Sequence, residues 1–185
     1  MNLPEKLGLI YLLSEIGIGL LRRSGRRSKR RDAGSLTVLW VTIIAAIAAA
    51  VMVTYLLPQF AFPLPHAVGE VIGGVFAIGL VLRWWAILSL GKFFTVDVAI
   101  ADDHQLIIRG PYHLVRQPSY TGMMLAFAAL SVTFQNWVSI ACILIPISLA
   151  LTYRIYIEEI ALEATFGESY QVYVRTTKRL IPGIF

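Results

Sequence analysis

The residues best suited to chemistry lie in two short stretches of a mostly apolar chain. The first, Leu106 to Gly122, reads LIIRGPYHLVRQPSYTG and holds two Gly, two Pro, two Tyr, one His and two Arg. Its Gly-Pro and Gln-Pro pairs interrupt helical structure, because proline fixes φ, lacks an N–H and moves the preceding residue away from the α region. Non-helical backbone near a membrane needs protein or water partners, so we interpret this stretch as a binding segment rather than a rigid connector.

The second stretch places two oppositely charged residues four positions apart. Arg154 and Glu158 follow a long uncharged run, and their spacing makes them neighbours on one side of a helix. They could form an exposed ion pair, which contributes about 0–1 kcal/mol to stability. They could instead form a charged wall that faces a cofactor. The spacing by itself slightly favours the exposed ion pair.

Several other chemistries lack the residues that they need. The sequence has no Gly-x-Gly-x-x-Gly after a strand, no P-loop and no His-Glu-x-x-His, which argues against dinucleotide, nucleotide and zinc-protease sites. The one cysteine, Cys142, lies in an apolar run, so we predict a buried thiol. The three histidines lie far apart in the sequence, and no metal site is expected.

The elements that must position the candidate residues are membrane spans. The chain has 185 residues, of which 57% are apolar and 15% charged, and its uncharged runs are long enough to cross a bilayer. We predict an all-α, polytopic integral membrane protein with residues 1–185 in a single domain, because no polar linker divides the chain. The stretch 22–32 holds seven of the sixteen basic residues. We expect it to contact anionic lipid rather than nucleic acid.

The candidate transmembrane helices are residues 1–21, 36–57, 67–91 and the two arms of a helical hairpin, 118–134 and 137–157. The first of these either packs as a span with Glu15 facing protein or lies in the interface. Arg83, inside the span 67–91, either reaches the interface or faces a polar cavity.

Lysine and arginine positions orient these spans. With residues 22–32 on the cytoplasmic side, the polar connection 92–117 and the tail are also cytoplasmic, and the loop 58–66 is external. Only five spans with an external N-terminus complete this scheme. Both ends of the hairpin and the polar connection then meet at the cytoplasmic face. The side chains that can converge there are Tyr112, Arg116, Gln117, Tyr120, Arg154, Glu158 and Glu159.

These residues together resemble the isoprenylcysteine carboxyl methyltransferase family and its phospholipid-methyltransferase relatives. The family pattern G-P-Y-x-x-V-R-H-P-x-Y-x-G stands here as Gly110 to Gly122, with Gln117 in place of the histidine. The family's C-terminal helix and R-x-x-P ending are matched by Glu158-Glu159, Phe166-Gly167, Tyr170 and Arg179 to Pro182. The resemblance covers residues 80–185, which we take as the cofactor-binding half, and suits a prokaryotic member of five spans.

The resemblance implies S-adenosylmethionine as cofactor and a cytoplasmic-side pocket that receives a lipophilic acceptor from the bilayer. It implies a catalytic role for Arg154, which would orient the acceptor carboxylate. It implies cofactor binding by His104, Gln105, Leu106, Ile107, Tyr112, Gln117, Pro118, Ser119, Tyr120 and Glu158. Gln117 can form hydrogen bonds but cannot titrate, so activity survives if this position only shapes the site and is impaired if it must carry a proton.

Two other functions remain open. A phospholipid N-methyltransferase would share the cofactor site, but its amine acceptor must lose a proton and gains nothing from Arg154. A non-catalytic membrane protein would bind no S-adenosylmethionine. A carboxylate with a pKa of about 3.5 is already ionised at neutral pH, so its methylation needs no general base. The sequence offers no obvious base, which favours carboxyl methylation of an isoprenylcysteine-like lipid.

Overall fold

The computed structural model describes residues 2–21, 29–30, 34–91, 99–100 and 106–183. Within those ranges the prediction of an all-α class is confirmed, with one pair of two-residue strands in addition. The elements are α1 (Leu3–Leu21), β1 (Lys29–Arg30), α2 (Ser35–Leu56), α3 (His66–Leu90), β2 (Ala99–Ile100), α4 (Pro118–Val132), α5 (Trp137–Phe166) and α6 (Glu168–Thr176). Two 3₁₀ turns are formed by Pro58–Phe60 and Gly110–His113.

Three of the described helices are long and apolar enough to cross a membrane. They are Ser35–Leu56, Ala67–Leu90 and Trp137–Phe166, which correspond to α2, α3 and α5. The fourth helix, α4, is apolar but shorter. The first, α1, carries three charged residues, Glu5, Lys6 and Glu15. This pattern is that of an integral membrane protein.

The predicted hairpin is formed by α4 and α5, and its turn follows from the local sequence. Gln135 takes a φ of 53°. The Asn136 side-chain oxygen then accepts hydrogen bonds from the backbone N–H groups of Val138 and Ser139, which caps α5. The sequence predicts the second hairpin arm over 137–157 and, after it, a helix that Gly167 can end; in the structure the two are one continuous helix, α5, which ends at Phe166.

The core lies where the helices pack in pairs. α3 packs along α4, α2 packs along α5, and α4 contacts α5, while α1 lies against α3 and α4. α3 and α4 approach each other at glycines: a Cβ added to Gly79 would lie 2.7 Å from the carbonyl oxygen of Gly122. Small residues allow such close approach between membrane helices. Gly122 is therefore needed for packing at the end of the polar stretch.

The segment before α4 is held by the chain that follows α6. The backbone N–H of Arg116 donates to the carbonyl oxygen of Lys178 at 2.7 Å, and that of Gln117 donates to Arg179 at 2.9 Å. These bonds satisfy polar backbone groups in the irregular chain that precedes Pro118. The start of α4 is thus fixed by the C-terminal segment as well as by α3.

β1 and β2 form an antiparallel pair that the sequence did not predict. Lys29 lies opposite Ile100, and Arg30 lies opposite Ala99. Strands of two residues are too short to show the alternating pattern that identifies a strand in sequence. The pair joins the basic stretch between α1 and α2 to the connection between α3 and α4.

Candidate active site

A cavity of about 200 Å³ lies between α1, α2, α3, α4 and α5. Its polar lining comes mainly from α3, α4 and α5, and its apolar lining mainly from α1 and α2. The lining residues are Glu15, Ile18, Gly19, Leu36, Leu39, Trp40, Arg83, Ser119, Tyr120, Met123, Arg154 and Glu158. Four of the residues predicted as cofactor or catalytic residues therefore lie at one cavity, namely Ser119, Tyr120, Arg154 and Glu158.

Arg154 is the most buried charged group of this cavity, with 2% of its surface exposed. Its Nε donates to the Tyr120 hydroxyl oxygen at 2.8 Å, and its Nη1 donates to the Ser35 Oγ at 3.0 Å. The Tyr120 hydroxyl donates in turn to Glu158 Oε1 at 2.6 Å, and this oxygen lies 3.5 Å from Arg154 Nη2. The prediction of an exposed ion pair, which the spacing slightly favoured, is wrong, because Arg154 is buried and Tyr120 bridges it to Glu158.

A second buried ion pair joins α1 to α3. Arg83 Nε lies 2.5 Å from Glu15 Oε1, and Arg83 Nη2 lies 2.8 Å from Glu15 Oε2. Arg83 Nη1 also donates to the Ser119 Oγ at 2.9 Å. Of the two positions expected for Arg83, the one that faces a polar cavity is confirmed, and Glu15 faces protein. A bidentate pair of this kind compensates two charges that would otherwise be costly at membrane depth.

Tyr112 lies close to the cavity, in the 3₁₀ turn Gly110–His113. The residue is buried, and its backbone carbonyl oxygen accepts a hydrogen bond from the Tyr173 hydroxyl of α6. Burial raises the pKa of the Tyr112 hydroxyl above its ordinary value, and the negative charge of Glu158 raises it further. The phenol is therefore neutral at physiological pH and can donate a hydrogen bond in the neighbourhood of Glu158.

Gln117 and Pro118 are buried at the start of α4, next to the cavity residues Ser119 and Tyr120 but outside the lining. The backbone N–H of Gln117 bonds the C-terminal segment. Its side-chain amide makes no hydrogen bond with any residue in the described part of the chain. Two donors and an acceptor are thus available there to a ligand.

The connection that leads to the 3₁₀ turn is described only in part. Leu106 and Ile107 are half-buried in an irregular segment, and neither lines the cavity. His104 and Gln105, the other two contacts expected from this connection, lie outside the described residues.

Arg116 and Glu159 form a cluster of their own, so their predicted convergence with the cavity residues is wrong. Arg116 Nη2 lies 3.0 Å from Glu159 Oε1, and Arg179 Nη2 lies 2.7 Å from Glu159 Oε2. Arg116 Nη1 also donates to the carbonyl oxygen of Thr177. Successive residues on a helix point about 100° apart, so Glu159 faces the C-terminal segment while Glu158 faces the cavity.

Glu15, Ser35 and Trp40 belong to the site but were not predicted as site residues from the sequence. Glu15 gives a signal, since a carboxylate within an apolar helix usually faces protein or a functional cavity. Ser35 and Trp40 give none, because their importance depends on the packing of α2 against α5. The proximity of Ser35 to Arg154 is a contact across 119 positions of sequence.

The cavity combines two cations, two anions and an apolar wall. Glu15 compensates Arg83, and Glu158 compensates Arg154, so the four charged side chains sum to zero. A carboxylate ligand would pair with Arg154, and a cationic ligand would pair with Glu158. The arrangement suits an amphipathic acidic molecule bound beside a positively charged one.

Fold and cavity together define a class, that of an integral membrane protein with an amphipathic site among its helices. The sequence profile of the isoprenylcysteine carboxyl methyltransferase (ICMT) family matches residues 71–164. The chain belongs to this family, and the resemblance noted in the sequence is confirmed. The matched range contains Arg83, the motif from Gly110 to Gly122, Arg154 and Glu158.

Individual relatives agree with the family assignment. A probable protein-S-isoprenylcysteine O-methyltransferase of Oryza sativa subsp. indica is 30% identical over 109 residues, which are 58% of this chain and 57% of that protein. The protein-S-isoprenylcysteine O-methyltransferase of Schizosaccharomyces pombe is 32% identical over 59% of this chain and 47% of that protein. The chain spans about half the length of these relatives.

A solved structure shares the fold. The structure of the eukaryotic intramembrane Ras methyltransferase ICMT matches 78% of this chain and 52% of that chain, with a TM-score of 0.64 and 28% sequence identity.

Proposed function

We propose that this chain is a membrane enzyme that transfers a methyl group from S-adenosylmethionine to the carboxylate of an isoprenylcysteine-like lipid. The observation that carries the proposal is the buried Arg154, bridged by Tyr120 to Glu158 at an amphipathic cavity. Family membership supports the reaction class, and the names of the relatives support the acceptor. Residues 1–185 would act as one domain, with the cofactor-binding half at 80–185.

The side chains at the cavity fit S-adenosylmethionine by their chemistry. The Glu158 carboxylate would accept hydrogen bonds from the ammonium group of the cofactor, and the faces of Tyr112 and Tyr120 would attract its cationic end. The side-chain amide of Gln117 would supply further hydrogen bonds. We assign the cofactor contacts to His104, Gln105, Leu106, Ile107, Tyr112, Gln117, Pro118, Ser119, Tyr120 and Glu158.

S-adenosylmethionine, when bound, supplies a methyl group that is already activated by a positively charged sulfur. The protein has to hold the acceptor in line with that methyl group and exclude water. Arg154 would bind the acceptor carboxylate through charge-assisted hydrogen bonds, while Tyr120 and Ser35 fix the guanidinium. Transfer of that methyl group to the acceptor oxygen held by Arg154 would give an ester, with S-adenosylhomocysteine as the leaving group. The carboxylate loses no proton, so no general base is required.

We further propose five spans, an external N-terminus and a cavity that opens on the cytoplasmic side. α1 and α4 would be the two spans in addition to α2, α3 and α5. The burial of Glu15 against Arg83 supports this for α1, since the outward residues Leu13 and Leu20 are apolar and 58% and 69% exposed. The basic stretch 22–32 would then contact anionic lipid of the cytoplasmic leaflet.

The test is a binding measurement followed by methyl transfer. The detergent-purified protein is titrated calorimetrically with S-adenosylhomocysteine, and radiolabelled S-adenosylmethionine is then supplied with a prenylcysteine or with phosphatidylethanolamine. We expect saturable binding and methylation of the prenylcysteine alone. Methylation of phosphatidylethanolamine instead would identify an N-methyltransferase. Absence of binding would refute the enzymatic function.

A further inference from the structure

In the proposed function the apolar wall of the cavity takes the hydrocarbon chain of the methyl acceptor, and we propose that Gly19 sets how much bulk this wall accepts. The inference rests on the proposed function and adds a specificity-determining residue to it. The apolar wall is defined by Ile18 and Gly19 from α1 and by Leu36, Leu39 and Trp40 from α2.

The apolar wall is continuous with the group that would hold the acceptor carboxylate. Ser35, at the start of α2, accepts a hydrogen bond from Arg154 Nη1, and the next residue, Leu36, already belongs to the wall. Leu39 and Trp40 follow Leu36 by three and four positions, a spacing that places them on the same helix face. A molecule with its carboxylate at Arg154 therefore meets apolar side chains along α2.

The same wall borders the surface that faces the lipid. Ile16 and Leu20 of α1 are 50% and 69% exposed, and Val38 and Val41 of α2 are 46% and 60% exposed. The main partners of α1 are α3 and α4, and the main partner of α2 is α5, so neither helix is held chiefly by the other. The described residues thus offer an apolar route from the bilayer towards Arg154 between α1 and α2. An amphipathic acceptor could follow this route without moving its chain through water.

Gly19 is the position in the apolar wall that contributes no side chain. A Cβ added to Gly19 meets no atom within 4 Å, whereas a Cβ added to Gly17 would lie 3.5 Å from the Trp84 ring. Alanine and leucine favour helices more than glycine does, so the helix itself does not require glycine here. Added bulk at position 19 therefore reduces the space at the cavity without a clash at its first carbon.

The first test is methyl transfer by the full-length protein in lipid nanodiscs, with two acceptors that differ only in the thioether chain. We compare N-acetyl-S-farnesylcysteine with the shorter N-acetyl-S-geranylcysteine for the wild type, Gly19→Ala and Gly19→Leu. Gly8→Leu is the matched control, because Gly8 lies on α1, is equally open at its Cβ and does not line the cavity. We expect Gly19→Leu to raise the KM of the farnesyl acceptor about tenfold or more, with Gly19→Ala intermediate. In the Gly19 variants, the KM of the geranyl acceptor and the affinity for S-adenosylhomocysteine should change less than about threefold. In Gly8→Leu, the KM of both acceptors and this affinity should change less than about threefold. Equal changes for both acceptors, or none, would overturn the role of Gly19.

The second test needs no turnover, which separates failure of this inference from failure of the proposed function. A farnesylcysteine analogue with a photoreactive group on its chain is cross-linked to the protein, and the labelled peptides are mapped by mass spectrometry. We expect label on α1 and α2 in the wild type and in Gly8→Leu, and less in Gly19→Leu. Label confined to α3, α4 or α5 contradicts the assignment of the wall, whatever the activity. Label on α1 and α2 without any methyl transfer would support the lipid-binding role of the apolar wall and would refute the proposed methyltransferase reaction.

Discussion

Two side chains at the cavity are proposed to bind different ligands, Arg154 the methyl acceptor and Glu158 the cofactor. Arg154 and Glu158 stand on one face of α5 and share the Tyr120 hydroxyl, yet they carry opposite charges. The guanidinium suits a carboxylate, and the carboxylate suits an ammonium group. Removal of either side chain should therefore affect a different ligand.

We expect Glu158→Ala to weaken S-adenosylhomocysteine binding by about tenfold or more, because a hydrogen bond to a charged group contributes about 1.5–3 kcal/mol. We expect Arg154→Ala to leave that affinity within about threefold but to lower kcat/KM for the acceptor by at least about tenfold. Calorimetry measures the first quantity and radiolabelled methyl transfer the second. Glu163→Ala and Arg175→Ala remove exposed charges of the same kinds and serve as controls. Small and equal effects on both ligands would leave the pair with a stabilising role only.

Gln117 stands where the family pattern has histidine, and its side-chain amide, at the start of α4, has no hydrogen-bond partner among the described residues. Because a carboxylate acceptor needs no deprotonation, a titrating side chain should be dispensable at this position. Gln117→His should leave turnover within about tenfold, a barrier change below about 1.4 kcal/mol. Gln117→Ala should weaken cofactor binding by a comparable amount, through lost hydrogen bonds.

The three Gln117 forms are compared by methyl transfer at matched cofactor saturation. If Gln117→His were strongly active while the natural protein was inert, the natural chain would be a degenerate relative without this activity.

The sequence predicted part of the set of residues that meet at the cavity. Topology brought Tyr120, Arg154 and Glu158 to one membrane face, and the structure places them within hydrogen-bonding distance of one another. Their burial was not predictable, because the four-residue spacing describes only one helix. Arg154 is buried by α2 and α4, which supply Ser35 and Tyr120 from distant parts of the chain.

Among the helices, the contact between α3 and α4 determines where the polar stretch of the site lies. Gly79 and Gly122 let the two backbones touch, and α4 begins with the cavity residues Ser119 and Tyr120. A displacement of α4 at Gly122 would therefore move these side chains relative to Arg154.

We expect Gly79→Ala to destabilise the protein by about 1–3 kcal/mol, the usual cost of overpacking, and to lower methyl transfer as well. The added Cβ would lie 2.7 Å from the Gly122 carbonyl oxygen and 2.8 Å from the Ala126 nitrogen, so backbone has to shift. Gly73→Ala on the same helix meets no atom within 4 Å and should be neutral or slightly stabilising. Unfolding in detergent, followed by intrinsic fluorescence, measures both. Equal stability of the two variants would show that the backbones of α3 and α4 can move apart at this contact without loss of stability.

The bounds of the long apolar helices were predicted well. α2 and α3 were predicted to within a residue, because α2 has no charged residue, α3 has only Glu70 and Arg83, and apolar runs of that length have few alternatives. The predicted division of α5 at residue 157 was wrong, since the apolar run ends at Tyr153 and the charged residues that follow, among them Arg154, Glu158 and Glu159, suggested a separate helix. The Gly79–Gly122 contact could not be predicted, because glycine within a span gives no indication of its partner.

At the scale of the whole molecule, the distribution of Lys and Arg decides which end of the bundle faces the cytoplasm. The 3₁₀ turn Pro58–Phe60 and the C-terminal segment lie at opposite ends of the predicted spans, and they differ in charge. An exposed residue in each therefore reports orientation.

We expect Gln59→Cys to react with a membrane-impermeant maleimide in intact cells and Lys178→Cys to react only after permeabilisation. Both residues are exposed, and both variants are made in a Cys142→Ala background so that each protein has one thiol. Gel-shift or mass detection of the labelled protein is the measurement. The reverse pattern would invert the proposed topology. Labelling of both sites in intact cells would place both on the same side and would contradict the three spans, α3, α4 and α5, proposed between them.

The buried pair between Glu15 and Arg83 also constrains how the chain is inserted during synthesis. An ionised side chain near the centre of an isolated span costs roughly 2.5–3.5 kcal/mol in insertion experiments. α1 precedes α3 in the chain, so Glu15 has no counter-ion when α1 first meets the translocon. We expect α1 to remain at the channel or the membrane surface until α3 arrives with Arg83, and then to enter the bilayer with it. Biogenesis would then proceed out of sequence order, and α1, which supplies part of the apolar wall, would take its place only after α3 had formed.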